Sequence, residues 1–263
     1  MKYTVLSLFP EITDAFFARS IIAKAISRGI VTYRSVNIRD FAVDKHRTCD
    51  DASYGGGPGM LMIPEPLGKA LESVGARNRL DPEDGGWTGT APRVIYLSPS
   101  GRPFTQNLAK ELVGETELIL LCGRYEGIDQ RIIDAFVDDE ISIGDYVLSS
   151  GEAAALVLID ATYRLVDTVI TSASLEEESF SGGLLEYPQY TRPEMYGILK
   201  VPEILLSGHH ENIRRWRLCK RVEKTLALRP DLIRWGEETG LFDEETRHII
   251  EALRGTGGSE GET

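Results

Sequence analysis

The sequence predicts an α/β fold, an α/β domain reaching to about residue 166 with a small helical domain behind it. Three observations carry this. Residues 118–152 hold two short, mostly apolar runs, each followed by a glycine loop and then a helical pattern. Residues 93–121 read as strand, turn, helix and strand, one β-α-β unit. From Ser207 onward the spacing is helical.

Taken in order, residues 2–9 read as a strand closed by Pro10. Residues 11–27 carry Ile12, Ala15, Phe16, Ile22 and Ile26 at helical spacing. Residues 31–36 alternate as a second strand after Gly29. Residues 40–59 have no period and are rich in charge and glycine, which in a compact domain marks a functional or disordered loop. Residues 64–74 read as helix, and 75–92, with four glycines and two prolines, as a surface excursion. Strand 93–97, turn 98–102, helix 105–112 and strand 117–121 follow.

The run 118–121 has the length of a buried strand. The loop CGRYEG follows, then a helix over 128–136 that starts near a capping Asp129. Asp138, Asp139 and Glu140 lead into a second strand, 141–143. A loop over 144–151 ends where 153–165 begins a helix. Open α/β sheets bind ligands outside the carboxyl ends of their strands, so two such loops in tandem suggest a pocket for a small polar molecule. Glycines serving tight turns alone are the plainer alternative. GxGxxG and GxxxxGK[ST] are absent, so neither nucleotide fingerprint applies.

Periodicity fades from 167 to about 194, and residues 167–200 read as an interdomain linker. Residues 211–228, 230–235 and 243–253 read as helices of a domain spanning 201–254. The glycine-rich tail 255–263 is expected to be disordered.

The 263 residues, 42% hydrophobic, can bury a real core. No apolar run approaches the ~20 residues of a membrane span, and residues 1–10 read as a first strand rather than a signal peptide. Cys49, Cys122 and Cys219 form neither a disulfide framework nor a zinc spacing, which points to a reducing cytoplasm. The net charge of −12 argues mildly against nucleic acid. Yet residues 209–229 hold seven basic and two acidic residues, a local +5 with histidines neutral. Arg214, Arg217, Arg221 and Lys224 there share one helical face. Such a stripe suits RNA phosphates, although a charged helix face taken alone is usually just solvated.

The motifs CGRYEGID (122–129) and SIGDYVLSSGE (142–152) closely resemble the bacterial tRNA (guanine-N-1-)-methyltransferase family. SLFPE (7–11), DKHRTCDD (44–51), YGGGPGMLM (54–62), YLSPSGR (96–102), YTRPE (190–194) and SGHHENIRRWR (207–217) follow the family's order. The resemblance covers nearly the whole chain. It implies methylation, from S-adenosyl-L-methionine, of the guanosine just 3′ of the anticodon. It also implies a SPOUT-type parallel-sheet domain with a deep trefoil knot over 1–166, a small all-helical C-terminal domain that binds tRNA, a homodimer and Mg²⁺ dependence. The partners so implied are tRNA and a second copy, with neither membrane nor DNA.

Carried over by motif, the cofactor contacts are Tyr96, Leu97, Ser98 and Gly101 in the first loop and Gly123, Tyr125 and Glu126 in the second. Ile143, Gly144, Asp145, Tyr146, Val147, Leu148 and Gly151 complete them in the third. The tRNA loop is Asp50, Tyr54, Gly55, Gly56, Gly57, Pro58 and Gly59. Removing the guanine proton takes a carboxylate, and a cation can stabilise the charge that develops. The family's cation matches Arg164, and its base, an Asp before Ser-Phe, falls on Glu178. Glu126 and Glu186 are the candidate metal contacts. The chain departs from the family pattern at Glu178, at Glu186 and at Ser150, where a glycine is usual. The departure at Glu178 keeps a second reading open, a non-catalytic RNA-binding module of the same fold. A methyltransferase for another RNA base is a third.

Overall fold

The computed structural model describes residues 1–81, 91–170 and 178–256. Half of the expected excursion (82–90), Glu176, Glu177 and the tail from 257 lie outside the described residues. The chain divides into two compact units, Met1–Ile170 and Thr171–Thr263.

The first unit is built on a parallel sheet of β1 (Lys2–Ser7), β2 (Thr32–Asn37), β5 (Arg93–Pro103), β6 (Glu117–Cys122) and β7 (Asp139–Ser142) in the order β2-β1-β6-β5-β7. An antiparallel ribbon, β3 (Asp50–Ala52) and β4 (Met60–Met62), stands apart from it. The helices are α1 (Glu11–Phe17), α2 (Ser20–Ser27), α3 (Pro64–Ser73), α4 (Gln106–Leu112), α5 (Gln130–Phe136) and α6 (Glu152–Tyr163). Both sheet faces are covered. Val94, Tyr96, Ile119 and Leu121 share a cluster with Leu67 and Leu71 of α3 and Ile132 and Phe136 of α5. Tyr3, Val5, Ile95, Leu118 and Leu120 share one with Phe17, Ile22, Leu112 and Leu158. That two-sided burial is why 118–121 is apolar without alternation.

Several elements differ from the sequence reading. The helix expected over 11–27 is two helices, with Arg19 extended and Ser20 at φ 62°. Thr13 and Phe17 are buried from α1, Ile22 and Ala25 from α2. The five-residue step from 17 to 22 is out of phase with one continuous stripe, so the break turns both helices' apolar sides inward. The expected turn at 98–102 lies inside β5: Ile141 of β7 pairs with both Leu97 and Arg102, so the residues between bulge out. Finally, β7 begins at Asp139, earlier than its apolar residues suggest. Arg93 and Arg102 neutralise Asp139 at 2.6 and 2.7 Å, which lets an acidic residue enter the sheet.

The second unit packs Leu184, Val222, Ile233, Phe242 and Ile250 among helices His210–Leu228, Pro230–Glu238 and Glu244–Thr256, and a short helix, Glu203–Leu206, precedes them. A hairpin, β8 (Met195–Tyr196) with β9 (Leu199–Lys200), lies within the expected linker. Its residues are exposed, so no burial period marked it.

Candidate functional site

Three loops meet at the carboxyl ends of β5, β6 and β7. The first is the bulge within β5. A Cβ on Gly101 would lie 2.4 Å from the backbone carbon of Glu140, so only glycine lets β7 pass this close. The second loop joins β6 to α5, whose N-cap is Asp129, accepting from Arg131 N–H as expected. The third joins β7 to α6. There Ser142 Oγ accepts from Gly144 N–H and donates to its carbonyl, and Gly144 takes φ 148°.

The second and third loops are tied together. Gly151 N–H donates to Gly123 O at 2.9 Å, and Arg124 bridges Ser150. A Cβ on Gly151 would sit 2.8 Å from Cys122 Cα. Ser150 is not among the residues at positive φ, so serine in place of the family's glycine adopts ordinary backbone.

Between the loops lies a cleft of about 310 Å³. Tyr96, Leu97, Ser98, Gly123, Tyr125, Glu126, Ile143, Gly144, Tyr146, Val147, Leu148 and Gly151 line it. Of the expected cofactor residues, Gly101 and Asp145 do not; Gly101 acts by making room for β7. The sequence reading missed Ser100, Arg124 and Ser149, which also line the cleft and stand inside the same motifs. Tyr146, Val147 and Leu148 remain 53%, 84% and 42% exposed, largely apolar side chains along a cleft of mixed polar and apolar lining. Together these surfaces suit a ligand with a flat apolar part and several polar edges. Burial pushes the Tyr96 phenol above its usual range, so it stays neutral.

The ribbon β3-β4 is fastened to the second loop. Glu126 N–H donates to Met60 O, Met62 N–H to Gly127 O and Asp129 N–H to Met62 O, at 3.0–3.1 Å. Gly55, Gly56, Gly57 and Gly59 all sit at φ between 80° and 116°, where side chains are strained. Tyr54 is fully exposed at the ribbon's turn, and Pro58 is exposed beside it. The Glu126 side chain fills the space a Cβ on Gly59 would need. Tyr125 hydrogen-bonds half-buried Asp50; burial, then that bond, raises its phenol pKa. The residues expected for cofactor and those of the expected tRNA loop thus share one end of the sheet.

Arg164 is not brought there. It is the C-cap of α6 and lines a separate cleft of about 420 Å³ with Phe16, Gln106, Leu156, Val157, Asp160 and Ala161. Gly151, at the loop cleft, caps the other end of the same helix. Its 12 residues put the two ends roughly 18 Å apart.

In the second unit Glu178 is half-buried and opens the turn that carries Ser179 and Phe180. Ser179 Oγ accepts from Glu186 N–H, and Phe180 N–H donates to Leu184 O. This segment is pinned to helix His210–Leu228 by Leu185 N–H to Thr225 Oγ1, Arg221 Nε to Leu185 O and Lys224 Nζ to Glu186 O. Arg217 stacks over Tyr187 at 4.7 Å, and Arg214 pairs with Glu211 and Glu245. The basic stripe therefore has structural work on this helix, which its spacing could not reveal. Glu186 accepts from Gln189. Among the described residues no three His, Cys, Asp or Glu side chains gather as a metal site. No described helix is long and apolar enough to cross a membrane.

The model of a family described as tRNA (Guanine-1)-methyltransferase TrmD matches residues 1–235. A tRNA (guanine-N(1)-)-methyltransferase of Treponema denticola is 60% identical over 250 residues, 95% of this chain and 98% of that protein. One of Treponema pallidum is 54% identical over 253 residues, 96% of each. One of Borrelia garinii is 57% identical over 234 residues, 88% of this chain and 92% of that protein. With its loops, cleft and glycine ribbon at the positions those motifs occupy, this chain belongs to the tRNA (guanine-1)-methyltransferase TrmD family.

Proposed function

We propose that this protein transfers a methyl group from S-adenosyl-L-methionine to N-1 of the guanosine immediately 3′ of the anticodon in tRNA. The observation that carries the reading is the hydrogen-bonded junction of the three-loop cleft with the glycine ribbon, in a chain of this family. The cofactor, when bound, supplies an electrophilic methyl on a sulfonium centre. Backbone groups of the first and third loops read its polar edges, and Tyr146 and Leu148 cover its apolar part. The ribbon receives the target nucleotide, which has to leave its stack. Tyr54 offers a stacking face, and its glycines let the RNA backbone come close. Glu178 takes the N-1 proton, and Arg164 stabilises the negative charge that develops on the guanine oxygen.

Arg164 lies too far along α6 to reach the cleft of its own chain, which supports a homodimer in which a second copy supplies it. Mixing Arg164→Ala and Glu126→Ala, each inactive alone, should then restore about a quarter of wild-type activity, because half the dimers carry one intact site of two. No recovery on mixing would place Arg164 and cleft in one chain. The close passage of the third loop against the second is where the family's trefoil knot would lie. Glu126, exposed at the cleft, is the residue that would hold Mg²⁺, mostly through water, as this ion prefers. A cytoplasmic location fits a tRNA substrate.

The direct test is transfer of labelled methyl to unmodified tRNA transcripts. Transcripts with the guanosine after the anticodon should be labelled and those without it should not. Labelling of both would move the target to another base, and binding of both ligands without label would make this a non-catalytic module.

The clamp on the Glu178 segment leads to a second expectation. Arg221→Ala should lower kcat about tenfold or more through misplaced geometry, with little change in tRNA affinity. Arg214→Ala, on an exposed residue, should weaken tRNA binding and flatten its salt dependence while leaving kcat nearly unchanged. Steady-state kinetics and a salt titration separate the two.

A further inference from the structure

Glu152 is the first residue of α6 and is fully buried. It stands where the third loop closes onto the second, directly after Gly151. Its Oε1 accepts a hydrogen bond from Ser7 Oγ at the end of β1, and Ser7 Oγ in turn accepts from Phe9 N–H. Arg124 Nε is 3.9 Å from the same Oε1, and the Arg124 guanidinium lies over the Phe9 ring at 4.3 Å. Among the described residues neither Glu152 Oε2 nor Arg124 Nε has a hydrogen-bond partner, and both are buried. A buried carboxyl is costly unless charge or hydrogen bonds compensate it, and a helix N-terminus is a favourable place for it. Gln at this position would keep the shape and the Ser7 contact, so packing alone does not call for an acid.

We propose that Glu152 is a positioning residue. It does not line the cleft, but Arg124 and Gly151 on either side of it do. Through Arg124 it sets the second loop, through the start of α6 the third, and through Ser7 both are fixed to the end of β1. The residue thereby determines the width of the cleft in which S-adenosylmethionine binds. This rests on the assignment of that cleft to the cofactor.

The test is cofactor binding by calorimetry, with steady-state kinetics, on the full-length protein. Wild type is measured first: failure to bind would overturn the cofactor assignment itself, independently of Glu152. Glu152→Gln should weaken S-adenosylmethionine and S-adenosylhomocysteine alike, about tenfold, and raise KM for the cofactor by a similar factor. At saturating cofactor kcat should stay within about threefold. Equal weakening of the cationic and the neutral ligand is what positioning requires. Selective loss of the cation would mean that Glu152 acts by direct attraction, and would overturn the proposal. In an Arg124→Gln background the Glu152→Gln effect should largely vanish, since both remove one link. Additive effects, or unchanged affinity with only a lower melting temperature, would reduce Glu152 to a structural residue. Should Glu152→Gln not fold, Ser7→Ala, which removes the donor to Oε1 together with the acceptor of Phe9 N–H, should show the same paired loss of both ligands; wild-type affinity there would overturn the proposal.

Discussion

Gly101→Ala should all but abolish cofactor binding while leaving the second unit folded. The added Cβ would meet the Glu140 carbonyl carbon and the Ile141 nitrogen at 2.4 Å, backbone atoms of a strand and not the end of a flexible side chain. That strand has little freedom to move. Ile141 is paired with Leu97 before the bulge and Arg102 after it, and Asp139 is held by Arg93 and Arg102. Overpacking costs about 1–3 kcal/mol and occasionally more, and rigid backbone on one side puts this case at the upper end. For a chain of this size that is roughly a 6–12 °C fall in melting temperature. Relief requires the first loop or β7 to shift, and both line the cleft, so affinity should fall by about 10²-fold or more even well below the transition. Gly57→Ala is the contrast. Gly57 sits at φ 116° with nothing within 4 Å of the missing Cβ. It should pay only the backbone strain, about 1–2 kcal/mol, raise KM for tRNA and spare cofactor affinity. Equal cofactor affinity in Gly101→Ala and wild type would mean the bulge is soft.

How much of this could be read in the sequence depends on what kind of contact fixes each residue. The strand at 118–121 was legible because both its faces are buried, so four apolar residues in a row have one meaning. The capping Asp129 and the helix start at Pro230 were legible because each acts on its own backbone neighbours. The cleft residues came from the family motifs, and the glycine spacing alone suggested only some pocket. What escaped depends on distant partners. Arg93 and Arg102 make the acidic start of β7 tolerable, and both are far from it in sequence. Ser7 and Glu152 meet across the fold, and each looks ordinary in its own window. The basic stripe on helix His210–Leu228 was visible as spacing, but the carbonyls of Leu185 and Glu186 that occupy Arg221 and Lys224 were not.

Glu178→Gln should reduce turnover by at least ~10²-fold, the usual scale of a lost general base, with cofactor and tRNA affinity near wild type. The substitution keeps size and polarity and removes only the proton acceptor. The segment has the stiffness such a role needs. Its turn is closed by Ser179 Oγ and by Phe180 N–H to Leu184 O, and it is fastened to helix His210–Leu228 at Leu185 and Glu186. A rigid mount makes the length of the side chain matter, because misplacement near 1 Å can cost ~10²-fold. Glu178→Asp is therefore the sharper variant. If the mount is placed as the family's motif with aspartate implies, the shorter acid keeps or raises turnover; if the turn has adapted to glutamate, turnover falls while remaining above that of Gln. Arg164→Ala should cost a comparable ~10²–10³-fold through lost stabilisation of developing charge. If both residues act on one transition state, as proposed, the double variant should lose far less than the product of the two. Single-turnover rates at saturating cofactor and tRNA isolate this step from binding and release. Full activity in Glu178→Gln with loss in Glu177→Gln would shift the base by one residue. Full activity in all three of Glu176→Gln, Glu177→Gln and Glu178→Gln together would remove the carboxylate base, leaving water or an RNA phosphate to take the proton.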